Sequence, residues 1–289
     1  MKYCIIIFLL FSFCDSVAQD TATCYFDEQL SLTREKNSVY PGRIIKHPQV
    51  WEAFAYHTNG KILMHGFFAD KKLQIKQGWY RLFYANGNQR AVTHFNNNFA
   101  DSIYTGWHIN GQLSDSGLIQ KQVRTGLWKT WYTNGNPESE GVYKEGTPDG
   151  KWHWYYANGK PATIEVYKTS KLQDLTCYDT TGKVTGSNCR IEGLPCPENA
   201  YDFENFVVDN LLYPDEALKK GIEGEVAFEF LITAKGKLTH INFTNKANTV
   251  LQNEVVRLLK SVKVWEPAVS HNRNVDYLYS YSVPFYQLN

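Results

Sequence analysis

Short stretches of alternating apolar and polar residues recur through the middle of the chain, and most of them end in Asn-Gly. The glycines that close these stretches are Gly60, Gly87, Gly111, Gly135, Gly159 and Gly182. Their spacings of 27, 24, 24, 24 and 23 residues indicate a repeat array, because self-similarity at a fixed period is the signature of one. Aromatic and β-branched residues at alternate positions are typical of strands, so each repeat predicts a β-hairpin.

The clearest copies span residues 126–135 and 150–159, and a third spans 78–87. In each copy an aromatic stretch ends in Asn-Gly and is followed by a second strand and a Gly-containing loop. Asn-Gly favours a two-residue turn in which both central residues have positive φ. Because a single hairpin is marginally stable in water, we expect the hairpins to pair edge to edge in one extended antiparallel sheet that buries its aromatic face.

The pattern G-x-W-x-x-[WYF]-Y-x-N-G in these units resembles the bacterial variant of the MORN repeat, over residues 50–190. In that family the repeats are not catalytic and serve interaction or scaffolding, so the resemblance implies an architecture rather than a reaction. The tryptophans concerned are Trp128, Trp131, Trp152 and Trp154. We expect them to form the core of a thin sheet, and a stacking platform for carbohydrate or peptide is the alternative.

The repeat stops at residues 193–197, where two prolines interrupt the chain, and a second domain begins there. Apolar residues at helical spacing from Phe203 to Leu211 predict a helix. Pro214 then opens a short second helix, which Gly221 closes.

Beyond this point the period changes to two, and residues 224–243 predict a hairpin of two strands. Thr249 and Gln252 form the pattern of a capping box at the start of another amphipathic helix. The last element alternates again from residue 275 to 285. Pro284 has no N–H to donate to a ladder, so this last strand is expected at a sheet edge.

Four motifs occur together in this region: Tyr213-Pro214-x-x-Ala217, Gly221-Ile222-Glu223-Gly224, Lys235-Gly236-Lys237 and Val264-Trp265-Glu266-Pro267-Ala268. With the order helix, hairpin, helix, strand, they resemble the C-terminal domain of the energy transducer TonB over residues 197–289. The resemblance implies a small two-helix, three-stranded periplasmic domain. In that family the domain captures an extended segment of an outer-membrane transporter as an added strand.

A free sheet edge suits such capture, because an extended peptide can complete its unpaired N–H and C=O groups. We therefore place partner-binding residues on the last strand, and the family resemblance implies that the segment after Pro214 lies beside that strand and contributes further ones. They are Tyr277, Tyr279, Tyr281, Val283, Phe285, Asp215 and Leu218. The partner implied is an outer-membrane transporter or another envelope protein, and no cofactor is implied.

The first 18 residues have the pattern of a signal peptide, with Lys2 before an apolar stretch and small residues at the end, where Ser16 and Ala18 stand. The sequence thus predicts export, cleavage after Ala18, and a periplasmic or outer-membrane-associated protein. Lipidation at Cys14 is the alternative, but Phe13 stands where a lipoprotein needs a small residue. Residues 19–49 are assigned to an N-terminal segment before the repeats. The repeats occupy the place where TonB proteins have a proline-rich spacer.

Removal of the signal peptide leaves four cysteines, Cys24, Cys177, Cys189 and Cys196, in a compartment that permits disulfides. Four cysteines allow three pairings, and the spacing alone does not choose among them. Because Cys177 and Cys189 flank a turn-like stretch at residues 179–182, a bridge between these two is the first expectation. The cysteines have no C-x-x-C spacing, so no zinc site is predicted.

Charge and motifs narrow the classes of function. The formal charge is +1 and like charges form no long run, which argues against nucleic-acid binding. The sequence has no catalytic motif, and its histidines, among them His57 and His108, share no repeat position that would suggest metal ligands. Three hypotheses for the function follow: a TonB-like adaptor, an envelope scaffold whose repeats bind a partner, or a carbohydrate-binding protein.

Overall fold

The computed structural model describes residues 21–287. The predicted signal peptide, its cleavage site after Ala18 and Cys14 lie outside these residues. The chain forms two compact units, of which the first extends to Gly135 and includes Tyr143–Thr147, and the second comprises Asn136–Val142 and the chain from Pro148 onward. The predicted fold class is confirmed, because a large antiparallel sheet precedes a small domain of helices and strands. The predicted domain boundaries stay a prediction.

Fifteen strands of the described chain form the large sheet, and all the pairings described here are antiparallel. They are β1 Thr21–Phe26, β2 Tyr40–Lys46, β3 Trp51–Tyr56, β4 Ile62–Phe68, β5 Lys76–Phe83, β6 Gln89–Asn96, β7 Phe99–Ala100, β8 Ile103–Trp107, β9 Leu113–Gln120, β10 Val123–Trp131, β11 Pro137–Lys144, β12 Thr147–Tyr155, β13 Pro161–Lys168, β14 Lys171–Tyr178 and β15 Val184–Gly186. A short 3₁₀ helix, Glu35–Asn37, lies between the first two strands.

In the first unit, strands that follow one another in the chain pair side by side, with β7 off the main path as a partner of β6. The predicted N-terminal segment contributes β1 and β2 to this sheet. A small core lies here, around Phe26, Met64 and Phe68. Within residues 21–287 no α-helix contributes to this core, so aromatic residues and small residues of neighbouring strands fill the space.

The Asn-Gly turns differ from the predicted two-residue type. The N–H of His57 bonds to the carbonyl of Lys61, and the N–H of Gly60 bonds to the carbonyl of His57, so the loop has three residues. Only the glycine has positive φ, which is 80° at Gly60, whereas Asn59 does not. The geometry is that of a type I turn followed by a left-handed glycine, as three-residue hairpins prefer. The prediction that both residues need positive φ was wrong.

The asparagine of these turns has a different role, which is to join successive turns within each unit. Its side-chain amide donates to a backbone carbonyl of the following turn, 22 to 26 residues away. The pairs are Asn59 to Ala85, Asn86 to Ile109, Asn110 to Thr133 and Asn158 to Thr180, with donor–acceptor distances of 2.7–2.9 Å. Its Oδ1 also accepts the N–H two residues on, as in Asn59 and Lys61. The Asn-Gly repeat is therefore a hydrogen-bonded ladder as well as a turn signal.

A second series of hydrogen bonds involves the first residue of the turn, which is His or Tyr in four hydrogen-bonded pairs. Its side chain bonds to the carbonyl that precedes the next turn. The pairs are His57 with Phe83, Tyr84 with Trp107, His108 with Trp131 and Tyr156 with Tyr178, at 2.7–3.1 Å. The prediction that the histidines share no repeat position was therefore wrong for His57 and His108, because tyrosine serves the same purpose in other repeats.

Trp128 and Trp152 are the core of their repeats, as predicted, and each is 2% exposed. Trp128 lies over Gly117, where an added Cβ would be 2.2 Å from the indole ring, and its Nε1 donates to the carbonyl of Leu118 at 3.0 Å. Trp152 lies over Gly141 in the same way. These buried rings are unavailable for stacking on a sugar, whereas Trp131 and Trp154 are half-buried.

The last strands of the large sheet, from Pro148 of β12 to β15, lie in the second unit. The predicted bridge between Cys177 and Cys189 is confirmed, with Cα atoms 6.1 Å apart. It ties the end of β14 to the chain beyond β15. Cys24 and Cys196 are free thiols, so no bridge joins the remaining two candidates. Burial raises the pKa of Cys24 to about 11.

The rest of the second unit contains three helices and eight short or medium strands among the described residues. They are β16 Glu192–Gly193, β17 Cys196–Pro197, α1 Phe203–Asn210, α2 Asp215–Lys220, β18 Gly224–Ile232, β19 Leu238–Phe243, α3 Thr249–Ser261, β20 Trp265–Glu266, β21 Ala268–Ser270, β22 Arg273–Val275 and β23 Tyr277–Phe285. The sheet orders are β19-β18-β23, β16-β21-β22 and β17-β20.

The helices pack on one face of the sheet β19-β18-β23, which is called the three-stranded sheet below. Alternate residues of β18, from Val226 to Ile232, are buried against α1 and α3, as the period of two predicted. The predicted helices are present, so the domain has three helices where the family resemblance implied two. The cap of α3 differs from the prediction: Asn248 is the N-cap and accepts from the N–H of Val250, while Thr249 is the first helical residue.

A buried acid joins α3 to the end of α1. Glu254 accepts the backbone N–H of Leu212 at 2.8 Å and the guanidinium of Arg257 at 2.7 Å. Arg257 also donates to the carbonyl of Asn210. The carboxylate therefore satisfies backbone left unpaired where α1 ends, which explains a charged residue on the buried stripe.

Candidate partner-binding edge

The strand β23 forms one edge of the three-stranded sheet, and β18 is its sheet neighbour in the described chain. The register is regular over nine residues, from Gly224 opposite Phe285 to Ile232 opposite Tyr277. Regular pairing of this length leaves the other side of β23 straight and without a bulge. Such an edge presents unpaired N–H and C=O groups.

The backbone groups that face outward belong to the even-numbered residues of β23. On β18, the N–H and carbonyl of Ala227 both bond toward the β19 side, to Asn245 and Thr244. Because successive residues alternate sides, Val226 and Phe228 bond toward β23 instead. Their partners on β23 are odd-numbered, so the even-numbered residues direct their backbone groups away from the sheet.

The outward groups are the N–H and C=O of Leu278, Ser280 and Ser282 and the carbonyl of Pro284. A proline at an outward position agrees with this assignment, because it costs the ladder no hydrogen bond. The hydroxyl groups of Ser280 and Ser282 donate to Glu229 and Glu225 on the solvent face of the sheet.

The side chains of β23 that the sequence predicted to bind a partner belong to the odd-numbered residues, whose backbone groups face β18. Tyr279, Val283 and Phe285 are buried in the core, while Tyr277 and Tyr281 are half-buried against it. The hydroxyl of Tyr279 donates to the carbonyl of Pro195 at 2.5 Å. The strand proposed from the sequence is thus at the edge, but a partner would meet the backbone of its even-numbered residues.

The two predicted residues of α2 lie beyond the C-terminal end of β23. The side-chain amide of Gln287 donates to the carbonyl of Leu218 at 3.4 Å, which brings this helix next to the residues after Phe285. Leu218 is exposed, and Asp215 occupies the first turn of the same helix. No hydrogen bond or ion pair joins Asp215 to β23 among the described residues.

A cleft of about 650 Å³ lies beside β23 on the helical face of the sheet. The rings of Tyr279 and Tyr281 form one wall, and the segment 194–204, which includes the start of α1, forms another. Burial, followed by the carboxylates of Glu204 and Asp202, which line the same cleft, raises the pKa of Tyr281. A strand added to β23 would point alternate side chains toward this cleft.

The β21–β22 hairpin is a second feature, which sequence reasoning missed. Its tip, His271 and Asn272, has positive φ at both residues. His271 stacks on the ring of Trp154, and its Nδ1 donates to the carboxylate of Glu165 at 2.8 Å. Asn272 donates to the hydroxyl of Tyr156 at 3.0 Å. The domain's hairpin is therefore bonded to repeat strands of the same unit.

Arg273 completes this contact. Its guanidinium is almost fully buried, lies 5.0 Å from the centre of the Trp154 ring, and donates to Glu138 at 3.2 Å. Arginine is almost never fully buried unless it is paired, and the contacts with Glu138 and Trp154 account for the burial of Arg273. The pairing itself joins positions more than 100 residues apart, which no periodicity shows.

Glu165 is fully buried at the centre of the hairpin contact. Burial raises its pKa, but hydrogen bonds from His271, Tyr167 and Thr163 outweigh burial, so the pKa is lowered below its ordinary value of 4.5. The carboxylate is thus held ionised by donors that surround it.

The second unit therefore contains a small α+β domain with an open three-stranded sheet. Residues 209–286 of this domain match the family described as Gram-negative bacterial TonB protein C-terminal. Residues 124–145 and 148–169 match the family described as MORN repeat variant. The comparison with curated proteins found no match for the chain. Both predicted resemblances are confirmed. The MORN resemblance is confirmed for two repeats, which begin in β10 and β12.

The TonB match supports a cell-envelope protein with a non-enzymatic interaction domain. No helix among residues 21–287 has the length and apolar character needed to span a bilayer. In the same range, no cluster of three or more His, Cys, Asp or Glu side chains suits a metal ion.

Proposed function

We propose that this chain is a periplasmic or outer-membrane-associated adaptor that captures an extended segment of an outer-membrane transporter, or of another envelope protein, by adding it to β23. The observation that carries the proposal is the regular free edge, with outward backbone groups at Leu278, Ser280 and Ser282. An extended peptide can complete these groups and form a fourth strand.

The expected strength follows from the same geometry. If about five backbone hydrogen bonds form at about 1 kcal/mol each, and association costs are set against modest side-chain burial, the affinity is micromolar. A complex of this affinity dissociates readily, as a protein that binds a transporter repeatedly requires.

Photocrosslinking in the intact envelope tests the proposal. A benzoylphenylalanine placed at Leu278, which is 56% exposed and lies on the free edge, should crosslink to an outer-membrane transporter. A peptide copying that transporter's extended segment should compete for the crosslink. The matched control is the same probe at Asn242, an exposed residue of β19 at the other edge of the sheet. No transporter crosslink at 278, or an equal one at 242, would overturn the proposal.

A specific observation favours a second candidate, in which the repeat sheet is the binding surface of an envelope scaffold. Ile103, Leu118 and Leu127 are exposed in the first unit and, with Trp131, line a mainly apolar cleft of about 460 Å³. Exposed apolar patches of this kind mark interaction sites. Loss of an envelope protein that co-purifies with the chain on Leu127→Lys, together with no transporter crosslink from Leu278, would support the scaffold function.

A further inference from the structure

The cleft beside β23 carries an excess of negative charge. Its charged lining residues are Asp202, Glu204, Glu266 and Arg190, so three carboxylates face one guanidinium. Arg190 pairs with Glu266 at 3.4 Å, and no Lys or Arg of the described chain pairs with Asp202 or Glu204. In the described part of the chain Glu204 makes no ion pair.

The N-terminal end of α1 stabilises this negative charge. Asp202 is the N-cap of α1 and accepts the N–H of Asn205 at 2.8 Å, and Glu204 lies in the first turn. The N-terminal end of a helix favours acidic side chains. The Asp202 carboxylate is therefore held by the helix cap, and Glu204 lines the same cleft, which Tyr281 also lines.

The remaining lining suits the stem of a long side chain. Tyr201 is 92% exposed, and Leu194 is also exposed. A tyrosine face attracts a cation, and apolar surface packs against the methylene groups of lysine or arginine. A carboxylate pair, an open aromatic ring and an apolar wall together fit a basic side chain better than an acidic or a small one.

We propose that this cleft selects partners whose added strand carries a lysine or arginine at the position facing Tyr281, between Glu204 and Tyr201. The proposal rests on strand addition to β23 and names the chemistry of the partner. Because side chains alternate along a strand, only those on the helical side of the new strand meet the cleft. The selectivity therefore concerns one or two positions of the partner, and its backbone supplies the rest of the binding.

Peptide binding to the full chain tests this selectivity. The probes are acetylated seven-residue peptides, Thr-Val-Thr-X-Thr-Val-Thr, in which X is lysine, norleucine or glutamate. A peptide with X as lysine should bind about tenfold more tightly than one with glutamate, because surface ion pairs and cation–π contacts each contribute modestly. Raising the salt concentration should shrink this difference.

Charge-neutralising variants assign the preference to the cleft. Glu204→Gln together with Asp202→Asn should abolish the preference for lysine, and asparagine retains the helix cap. The matched control is Glu216→Gln, an exposed acid of α2 outside the cleft lining. This control should leave the preference unchanged.

The outcomes separate the two proposals. If no peptide binds, strand addition itself fails. If all three bind equally and Ser280→Pro weakens each of them, strand addition stands and the charged cleft is excluded as a specificity determinant. A preference for lysine that survives the double variant also overturns the cleft proposal.

Discussion

The rings of Trp154 and His271 stack 3.5 Å apart with 9° between their planes. Trp154 belongs to a repeat strand, whereas His271 is the tip of the β21–β22 hairpin. The stack, together with the bond from His271 to Glu165, fastens the TonB-like part to the last repeats within one compact unit. These repeats are therefore part of the structural support of the domain, and an isolated domain would lack this support.

We expect His271→Ala to destabilise the second unit by about 2–4 kcal/mol, because it leaves a buried carboxylate with fewer donors and removes the stack. His271→Gln is the matched control, since it keeps an amide donor while losing the ring, and should cost less. Thermal unfolding followed by near-UV circular dichroism measures both. Equal melting temperatures for the wild type and His271→Ala would show that the contact contributes nothing.

Stability should also depend on pH through Glu165. Its pKa is lowered in the folded protein, so the carboxylate contributes stability that is present above its unfolded value, near 4.5, and is lost as the pH falls through the lower folded value. Denaturant titrations from pH 7 to pH 3 should therefore show a loss on acidification. Glu165→Gln should be less stable at pH 7 and show a flatter profile. An identical acid-induced loss in this variant would assign the effect to other groups.

Much of the second unit could be predicted from sequence because its signals are local. The period-two pattern from Val226 to Ile232 and the Pro214 and Gly221 boundaries of α2 needed only neighbouring residues, and the Cys177–Cys189 bridge flanks a local turn. Which backbone groups of β23 face outward could not be predicted, because this depends on the register in which β23 pairs with β18. The hairpin contact joins His271 to Glu165, 106 residues apart, and no local pattern encodes it.

The alternation along β23 makes proline substitutions informative. Ser280→Pro removes an outward N–H and should weaken partner capture about fivefold or more, with a small change in stability, because one backbone hydrogen bond is lost. Ser280→Ala removes only the hydroxyl and is the matched control. Peptide affinity and melting temperature are measured for both. Equal affinities for the two variants would contradict this edge.

Tyr281→Pro should behave in the opposite way. The N–H of Tyr281 faces β18 in the ladder with Phe228, so its loss breaks the sheet as well as removing a ring that packs on Phe203. We expect a loss of about 3 kcal/mol or more in unfolding free energy. A variant that unfolds at the wild-type denaturant concentration would show that the inward assignment of odd-numbered residues is wrong.

Glycine substitutions in the repeats should separate close packing from backbone strain. Gly117→Ala places a Cβ 2.2 Å from the indole of Trp128, whose Nε1 is already bonded to Leu118, so the ring must move and lose that bond. We expect a cost of about 3 kcal/mol from overpacking and the broken hydrogen bond.

Gly126→Ala is the control, because its φ of 65° is strained for alanine but the space around it is open. It should cost about 1 kcal/mol. Urea unfolding monitored by tryptophan fluorescence measures both, and a Gly117→Ala cost no larger than that of the control would mean that the Trp128–Gly117 contact does not limit packing in the repeat.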